Sequence, residues 1–299
     1  MSGNLSHSMR ANYNQHGVEG YYNIVSESYR NPHYLGLKKV LNSFMDRFIQ
    51  QERPIKVDVL DLAAGSGEAT EVLLEWKATK WPKPAPPPPM PSLTDQAAPP
   101  TQRTGVPAPP RPFVPRPAMS RPRTVSKNPP IPEPRMRIVA ADPYTAPAYK
   151  QRLGLECLPL SFADVAAGDL PTPSGEPYQT EESEACDVQQ KHDSTVQDDV
   201  FDLVVVSFAL HLVESSSELW ALLTTLATRA KWLIVIAPHK KPDIKDSWGW
   251  TRWDPSPKWK AAEGRGNVGG SDGDGFEIVL DRVRLRVWRS EHYRTRNDS

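Results

Sequence analysis

Charge of either sign is not in excess: 36 basic residues balance 36 acidic ones, so nothing advertises a nucleic-acid or membrane-surface partner. Cysteine is nearly absent. Cys157 and Cys186 cannot build a disulfide framework, and neither has His or Cys neighbours at metal-ligand spacing. A protein without a metal, in a reducing, intracellular setting, cytoplasmic or nuclear, is therefore expected. No run of ~18 apolar residues occurs anywhere, and Met1 to His16 is polar, without the apolar core of a signal peptide. A soluble protein with no membrane span follows as the expectation.

Proline, by contrast, is abundant and unevenly placed: 20 of the 32 prolines lie between Pro82 and Pro134. Such a stretch cannot form a helix or a central strand, and its few apolar residues cannot offset the entropy of ordering it. Residues 77–135 read as a Pro-rich disordered insertion. Within it, Lys83-Pro84-Ala85-Pro86-Pro87-Pro88-Pro89 fits the form of a ligand for a polyproline-binding domain of the Src-homology-3 type, or else is a plain spacer. Residues 168–199 read as an acidic disordered loop, and Ala261 to Gly275 as a glycine-rich one. What is left is about 190 residues, the size of one domain: an N-terminal helical cap, 1–56, followed by an α/β domain over 57–76 and 136–299.

That domain is organised around Val57-Asp58-Val59-Leu60-Asp61-Leu62-Ala63-Ala64-Gly65-Ser66-Gly67-Glu68-Ala69-Thr70. Val57, Val59, Leu60 and Leu62 make the apolar run of a parallel strand covered on both faces. Gly65 and Gly67 allow a tight turn and let a ligand approach bare backbone. From Glu68 to Trp76 there is neither Gly nor Pro, and Val72, Leu73 and Trp76 fall at helical spacing. A helix should open there with its free N–H groups over the glycines. A dinucleotide fingerprint would need a third glycine where Thr70 stands, and a nucleoside-triphosphate loop would need a Lys after the second glycine. Asp61, at the strand's carboxyl end, would repel a pyrophosphate and suits a ligand that carries an ammonium group.

The other segments alternate strand and helix. Gly20 to Gln51 is helical in tendency. Arg137 to Asp142 reads as a second strand ending in an acid, Leu155 to Phe162 as a third running up to Asp164, Phe201 to Ser207 as a fourth and Lys231 to Ala237 as a fifth. Ser215-x-x-Glu218 is a capping box that opens a helix, and Phe276 to Trp288 reads as two last strands around Asp281-Arg282. This pattern predicts an α/β fold: an open, doubly wound, mostly parallel seven-stranded sheet with helices on both faces. Asp142 follows Asp61 by 81 residues, of which 59 are inserted. The remaining separation is close to the ~20-residue offset at which an acid grips ribose hydroxyls in nucleotide-binding βαβ units.

In its Asp-x-x-x-Gly-x-Gly form the central stretch resembles motif I of the class I S-adenosylmethionine-dependent methyltransferases, and the resemblance extends from Val57 to Ala237 without the insertions. It implies S-adenosyl-L-methionine as cofactor, with Asp61, Ala63, Gly65 and Gly67 at the turn, Asp142 on the ribose and Asp164 at the adenine amino group. It also places Ser207-Phe208-Ala209-Leu210-His211 beside the transferred methyl. His211 becomes the candidate base or substrate contact; its other reading is a polar tip on the helix that follows. An N-terminal aromatic segment closes over the cofactor in many members of that family, which implies Tyr29 and Arg30 as contacts, with core packing as their alternative. Where methyltransferases of nucleic-acid and some protein amino groups carry Asn/Asp-Pro-Pro-Tyr/Phe, this chain has Ser207-Phe208-Ala209-Leu210. The departure moves the resemblance toward small-molecule methyltransferases.

Methyl transfer chiefly asks a protein to hold donor and nucleophile in line and exclude water, with a base needed only where the acceptor keeps its proton. Two other readings stay open at this point. One is a catalytically inactive binding or scaffold protein working through its Pro-rich segment. The other is an RNA or protein methyltransferase tethered by the Arg and Lys residues between Arg103 and Arg137, which the zero net charge disfavours. His239 reads as a solvated loop residue, and Trp248, Trp250, Trp253 and Trp259 as core packing or as a lid over a planar substrate.

Overall fold

The computed structural model describes residues 31–83, 131–173, 200–262 and 276–293, with isolated positions 15, 17 and 20. The chain divides into two units, Met1–Trp81 with Ile131–Ser299, and Pro82–Pro130. The second unit lies, apart from Pro82 and Lys83, outside the described residues, as do Tyr29, Arg30 and most of the acidic loop. Among the described residues no helix is long and apolar enough to cross a membrane.

In chain order the first unit runs α1 (Tyr34–Glu52), β1 (Lys56–Leu62), α2 (Glu68–Lys80), β2 (Arg135–Ala141), α3 (Ala146–Leu153), β3 (Cys157–Leu158) and α4 (Phe162–Ala167). It continues with β4 (Phe201–Ser207), α5 (Ser216–Arg229), β5 (Ala230–Ala237), β6 (Trp250–Asp254), β7 (Lys260–Ala261), β8 (Glu277–Leu280) and β9 (Val283–Ser290). One sheet joins all the strands in the order β3-β2-β1-β4-β5-β9-β6-β7, with β8 paired to β9. β1 to β5 are parallel; β9 is antiparallel to both β5 and β6. Seven strands make the expected doubly wound sheet, and the short β7 and β8 bring it to nine. The chain winds outward one way from β1 and the other way from β4, so the crevice beyond their carboxyl ends is the topological switch point, where such sheets bind ligands.

The alternation of side chains along each strand divides the core between two faces. Val57, Val59, Leu203, Val205 and Ile234 face α1 and α2, while Leu60, Leu62, Val204, Val206, Leu233 and Val235 face α5. In α1 the stripe Leu37, Val40, Leu41, Phe44, Met45, Phe48 and Ile49 is buried throughout, at helical spacing, against β1, β5 and β9 side chains. Within the region expected as an N-terminal cap, 1–56, α1 packs as one layer against the sheet. The long excursion after α2 is also shorter than expected. Its base is closed by the Trp81 indole N–H, which donates to Ile131 O at 3.3 Å, and by a Lys77–Glu133 ion pair at 3.2 Å.

Three local differences have physical reasons. The third strand shrinks to Cys157–Leu158 because Pro159 cannot donate to the ladder, and Ser161 with Asp164 then forms a capping box that opens α4 where strand was expected. Trp250 and Trp253 belong to strand β6 and are buried on opposite faces of the sheet, so these two tryptophans pack the core. Asp281 and Arg282 turn β8 into β9 with positive φ at both positions, 48° and 64°, the geometry that matches a hairpin's twist.

Candidate cofactor and acceptor site

β1 carries the chain into the crevice, and Ala63 (φ 58°), Gly65 (φ 60°) and Gly67 (φ 93°), all in left-handed backbone, turn it into α2. The Gly67 N–H donates to Ala64 O at 2.9 Å and closes the turn. The two glycines serve different ends. A Cβ on Gly65 would meet only Glu68 Oε2, at 3.4 Å, so that position faces open space. On Gly67 it would stand 2.5 Å from Leu153 Cδ1 and 3.0 Å from Tyr149 Cδ2. Gly67 is therefore what lets α3 pack on the turn. Gly67→Ala should destabilise the protein by about 2–5 kcal/mol, adding left-handed strain to overpacking. A urea melt measures it, and a midpoint unchanged from wild type would mean that α3 has room to move aside.

Asp142, at the end of β2 and 7% exposed, holds the turn from the other side. Its Oδ2 accepts the Gly65 N–H at 3.0 Å, and its Oδ1 accepts the N–H groups of Tyr144 and Thr145 at 2.9 and 3.0 Å. The Thr145 hydroxyl returns to Gly65 O at 2.7 Å. Gly65 is thus gripped at both its backbone groups.

Asp61 is fully buried and points away from the crevice, toward the start of α2. Its Oδ2 accepts the Thr70 N–H at 3.1 Å and the Thr70 hydroxyl at 2.7 Å, while Tyr149 donates in turn to Thr70 Oγ1 at 3.1 Å. Oδ1 has no partner among the described residues. Burial pushes the carboxyl up to about 7 against the lowering effect of the Thr70 bonds, with Glu68 and Asp142 adding repulsion. Asp61, expected at an ammonium group, is here bonded to the start of α2 and lies off the crevice wall. The acid that does face the crevice at the turn is Glu68, which pairs with Arg152 at 3.4 Å and accepts the Ser66 hydroxyl at 2.9 Å.

Asp164 also lies off the crevice wall. Its Oδ2 accepts the Ser161 N–H and hydroxyl at 2.8 and 2.7 Å, bonds that hold the carboxyl below its ordinary range. As the third residue of α4 it caps the helix, and the cavity wall beside it is formed by Leu160, Ser161, Phe162 and Ala163.

At the other switch-point strand, β4 ends in Ser207 and Phe208, and Phe208 (φ 58°) is again a non-glycine residue in left-handed backbone. Its N–H donates to Ile236 O at 2.8 Å, and its ring stacks on His33, with centroids 5.7 Å apart and planes 19° from parallel. Ala63 and Phe208 each hold a conformation that costs about 1–2 kcal/mol, a kind of strain that gathers at ligand sites. Beyond Phe208 a 3₁₀ turn, Leu210–Leu212, presents His211, and the loop after β5 presents His239; their ring centroids are 4.5 Å apart with planes at 80°. His211 is open to the crevice, yet the surrounding protein desolvates it, and this, with repulsion from His239, lowers its pKa. The structure so brings His239 into the site.

The crevice encloses about 1010 Å³, at the top of the range for small-molecule pockets (roughly 300–1,000 Å³) and enough for two ligands. Ala63, Gly65, Asp142, Ser207, Phe208 and His211 stand on its wall; Asp61, Gly67 and Asp164 do not. Asn31, Pro32 and His33 line it just after the undescribed Tyr29 and Arg30. Glu68, His33 and Glu218 were not foreseen, although Glu68 directly follows the second glycine. The wall carries Glu68, Asp142 and Glu218 and, among the described residues, no Lys or Arg. Such a wall repels phosphates and favours a cation.

No family model matches the chain. It is 30% identical over 293 residues to the uncharacterized protein C17A5.05c of Schizosaccharomyces pombe, a match spanning 97% of this chain and 94% of that one. Among solved structures it is similar to magnesium protoporphyrin IX methyltransferase from Synechocystis PCC 6803 with bound SAM, with a TM-score of 0.41 and 10% identity over 96% of this chain and 99% of that one. It is also similar to an O-methyltransferase family protein from Burkholderia thailandensis, with a TM-score of 0.40 and 10% identity over 96% and 64% of the two chains.

Proposed function

The chain belongs to one family with the uncharacterized Schizosaccharomyces pombe protein C17A5.05c, and from that premise we propose that it is an S-adenosylmethionine-dependent methyltransferase acting on a small molecule. The observation that carries this reading is the switch-point cavity, with an open glycine position and three carboxylates on its wall and, among the described residues, no Lys or Arg. A pyrophosphate cofactor would find neither a Lys nor an Arg on that wall. A ligand with an ammonium and a sulfonium group fits.

On this reading Gly65 lets the cofactor lie against bare backbone, and Asp142, which already accepts three N–H groups, offers its remaining lone pair, on Oδ2, to a ribose hydroxyl. Glu68 faces the ammonium group, and the apolar side chains of Leu160 and Phe162 flank the base. When bound, the cofactor supplies a methyl group made electrophilic by its sulfonium. The protein's share is to seat donor and acceptor in line across Ser207 and Phe208 and to keep water out.

Calorimetric titration with S-adenosylmethionine and S-adenosylhomocysteine, against NAD and ATP as controls, tests the reading. Micromolar-range binding of the first two is expected. Heat from NAD or ATP and none from the sulfur ligands would overturn it.

A further inference from the structure

We propose that the far end of the cavity takes a neutral, planar, weakly acidic hydroxyl compound of the phenol type, and that His211 and His239 together receive its proton. The inference rests on the methyltransferase reading for the methyl donor, but its observations are separate.

Shape and charge select the acceptor. The wall at this end is made of Ala209, Leu212, Val213 and Pro238 with the stacked pair His33 and Phe208, whose rings lie 19° from parallel and offer a flat apolar face. Besides the pair, the titratable groups on the wall are His33, Glu68, Asp142, Tyr144 and Glu218. Their charge is acidic, which disfavours a carboxylate or phosphate acceptor. Among uncharged acceptors it is a hydroxyl that gives a base work to do, since it must lose its proton to become a good nucleophile.

The two imidazoles are built for that task. With centroids 4.5 Å apart, a charge on one ring opposes a charge on the other. His239 Nδ1 is buried and has no hydrogen-bond partner among the described residues, which leaves a ring nitrogen for a ligand or for its protonated neighbour. In the reaction the acceptor's O–H bond breaks and its proton goes to a ring nitrogen of His211. The oxygen's electron pair forms the bond to the methyl carbon, the carbon–sulfur bond breaks with its pair left on sulfur, and the proton later leaves the pair for solvent.

His239 keeps its place through a residue far from the cavity. Arg286 of β9, 5% exposed, donates to the carbonyls of Lys240, Lys241 and Pro242, the three residues that follow His239; the last two bonds measure 3.0 and 3.1 Å. Burial draws its guanidinium down to about 10, still charged at neutral pH. Arg286 is thus a positioning residue for the pair.

The test uses 4-nitrophenol as probe, added to full-length protein saturated with S-adenosylhomocysteine, because the phenolate has its own absorption band. Wild type should show that band at a pH where the free probe is mostly protonated. His211→Gln and His239→Gln should each keep S-adenosylhomocysteine affinity and melting midpoint but lose the band and bind the probe about tenfold more weakly. Arg286→Lys keeps the charge without the planar fork and should weaken the band severalfold with cofactor affinity unchanged; a wild-type band in that variant would remove Arg286 from the proposal. A band untouched by both histidine variants, or benzoate binding more tightly than the phenol, would overturn it. No binding of S-adenosylhomocysteine would overturn the methyltransferase reading itself, whereas binding without a phenolate band would overturn this inference alone.

Discussion

Asp142→Ala should weaken S-adenosylmethionine binding about 10- to 150-fold and at the same time loosen the turn that receives it. The binding loss corresponds to ~1.5–3 kcal/mol, the value of one hydrogen bond from a ribose hydroxyl to a charged acceptor. The stability loss arises because the N–H groups of Gly65, Tyr144 and Thr145 lose their shared acceptor. Water entering from the open cavity replaces part of what is removed, so about 1–3 kcal/mol is expected rather than the full cost of three buried, unpaired donors. Calorimetry and a urea melt on the same preparation separate the two effects. Binding at full strength in the alanine variant would mean that the acid only clamps the turn.

Asp61→Asn is expected to stabilise the protein at alkaline pH, the reverse of what loss of a motif acid usually suggests. The carboxyl is raised from 3.8 to about 7, with burial the leading cause. Between those values the folded chain holds a proton that the unfolded chain has released. The group's contribution is therefore fully present below about pH 4 and is lost as pH rises through 7, with a total on the order of 4 kcal/mol. The N-terminus of α2 opposes this by favouring a negative charge, but by only about 0.3–2 kcal/mol, so burial wins. Asparagine can still accept both Thr70 bonds and places an uncharged amide where Oδ1 is now unpartnered. Wild type should melt several degrees lower at pH 8 than at pH 5, and the variant should show little of that slope. A variant less stable than wild type at pH 8 would show that the ionised carboxylate has a partner in the folded state.

The strand-turn-helix at the centre of the domain was legible because it is local: an apolar run, two glycines and a Gly- and Pro-free stretch imply one another within twenty residues. The position of Asp142 was legible for a related reason, since a βαβ unit has a nearly constant length once its insertion is subtracted. The direction of a carboxylate was not. Asp61 and Asp142 both stand at the carboxyl ends of strands, and what separates them is Thr70, whose hydroxyl draws Asp61 into the protein interior. From the sequence, Thr70 counted only as a missing third glycine. Asp164 behaves likewise: three residues after Ser161, it is engaged by that residue as a capping partner. His239 was read as solvated because its neighbours are Pro, Lys and Lys. The arginine that anchors its loop lies 46 residues beyond Lys240.

The closed base of the long excursion bears on how this domain can vary. Trp81 and Ile131 meet where α2 ends and β2 has not yet begun, and Ala141, at the other end of that strand, is the one beside the glycine turn. The stem lies outside the pairing of β1 with β2, and the entropic burden of chain added between its two residues grows only with the logarithm of its length. The stem is a graft point: a reporter, an affinity handle or a second domain inserted there enters outside the ladder of the sheet.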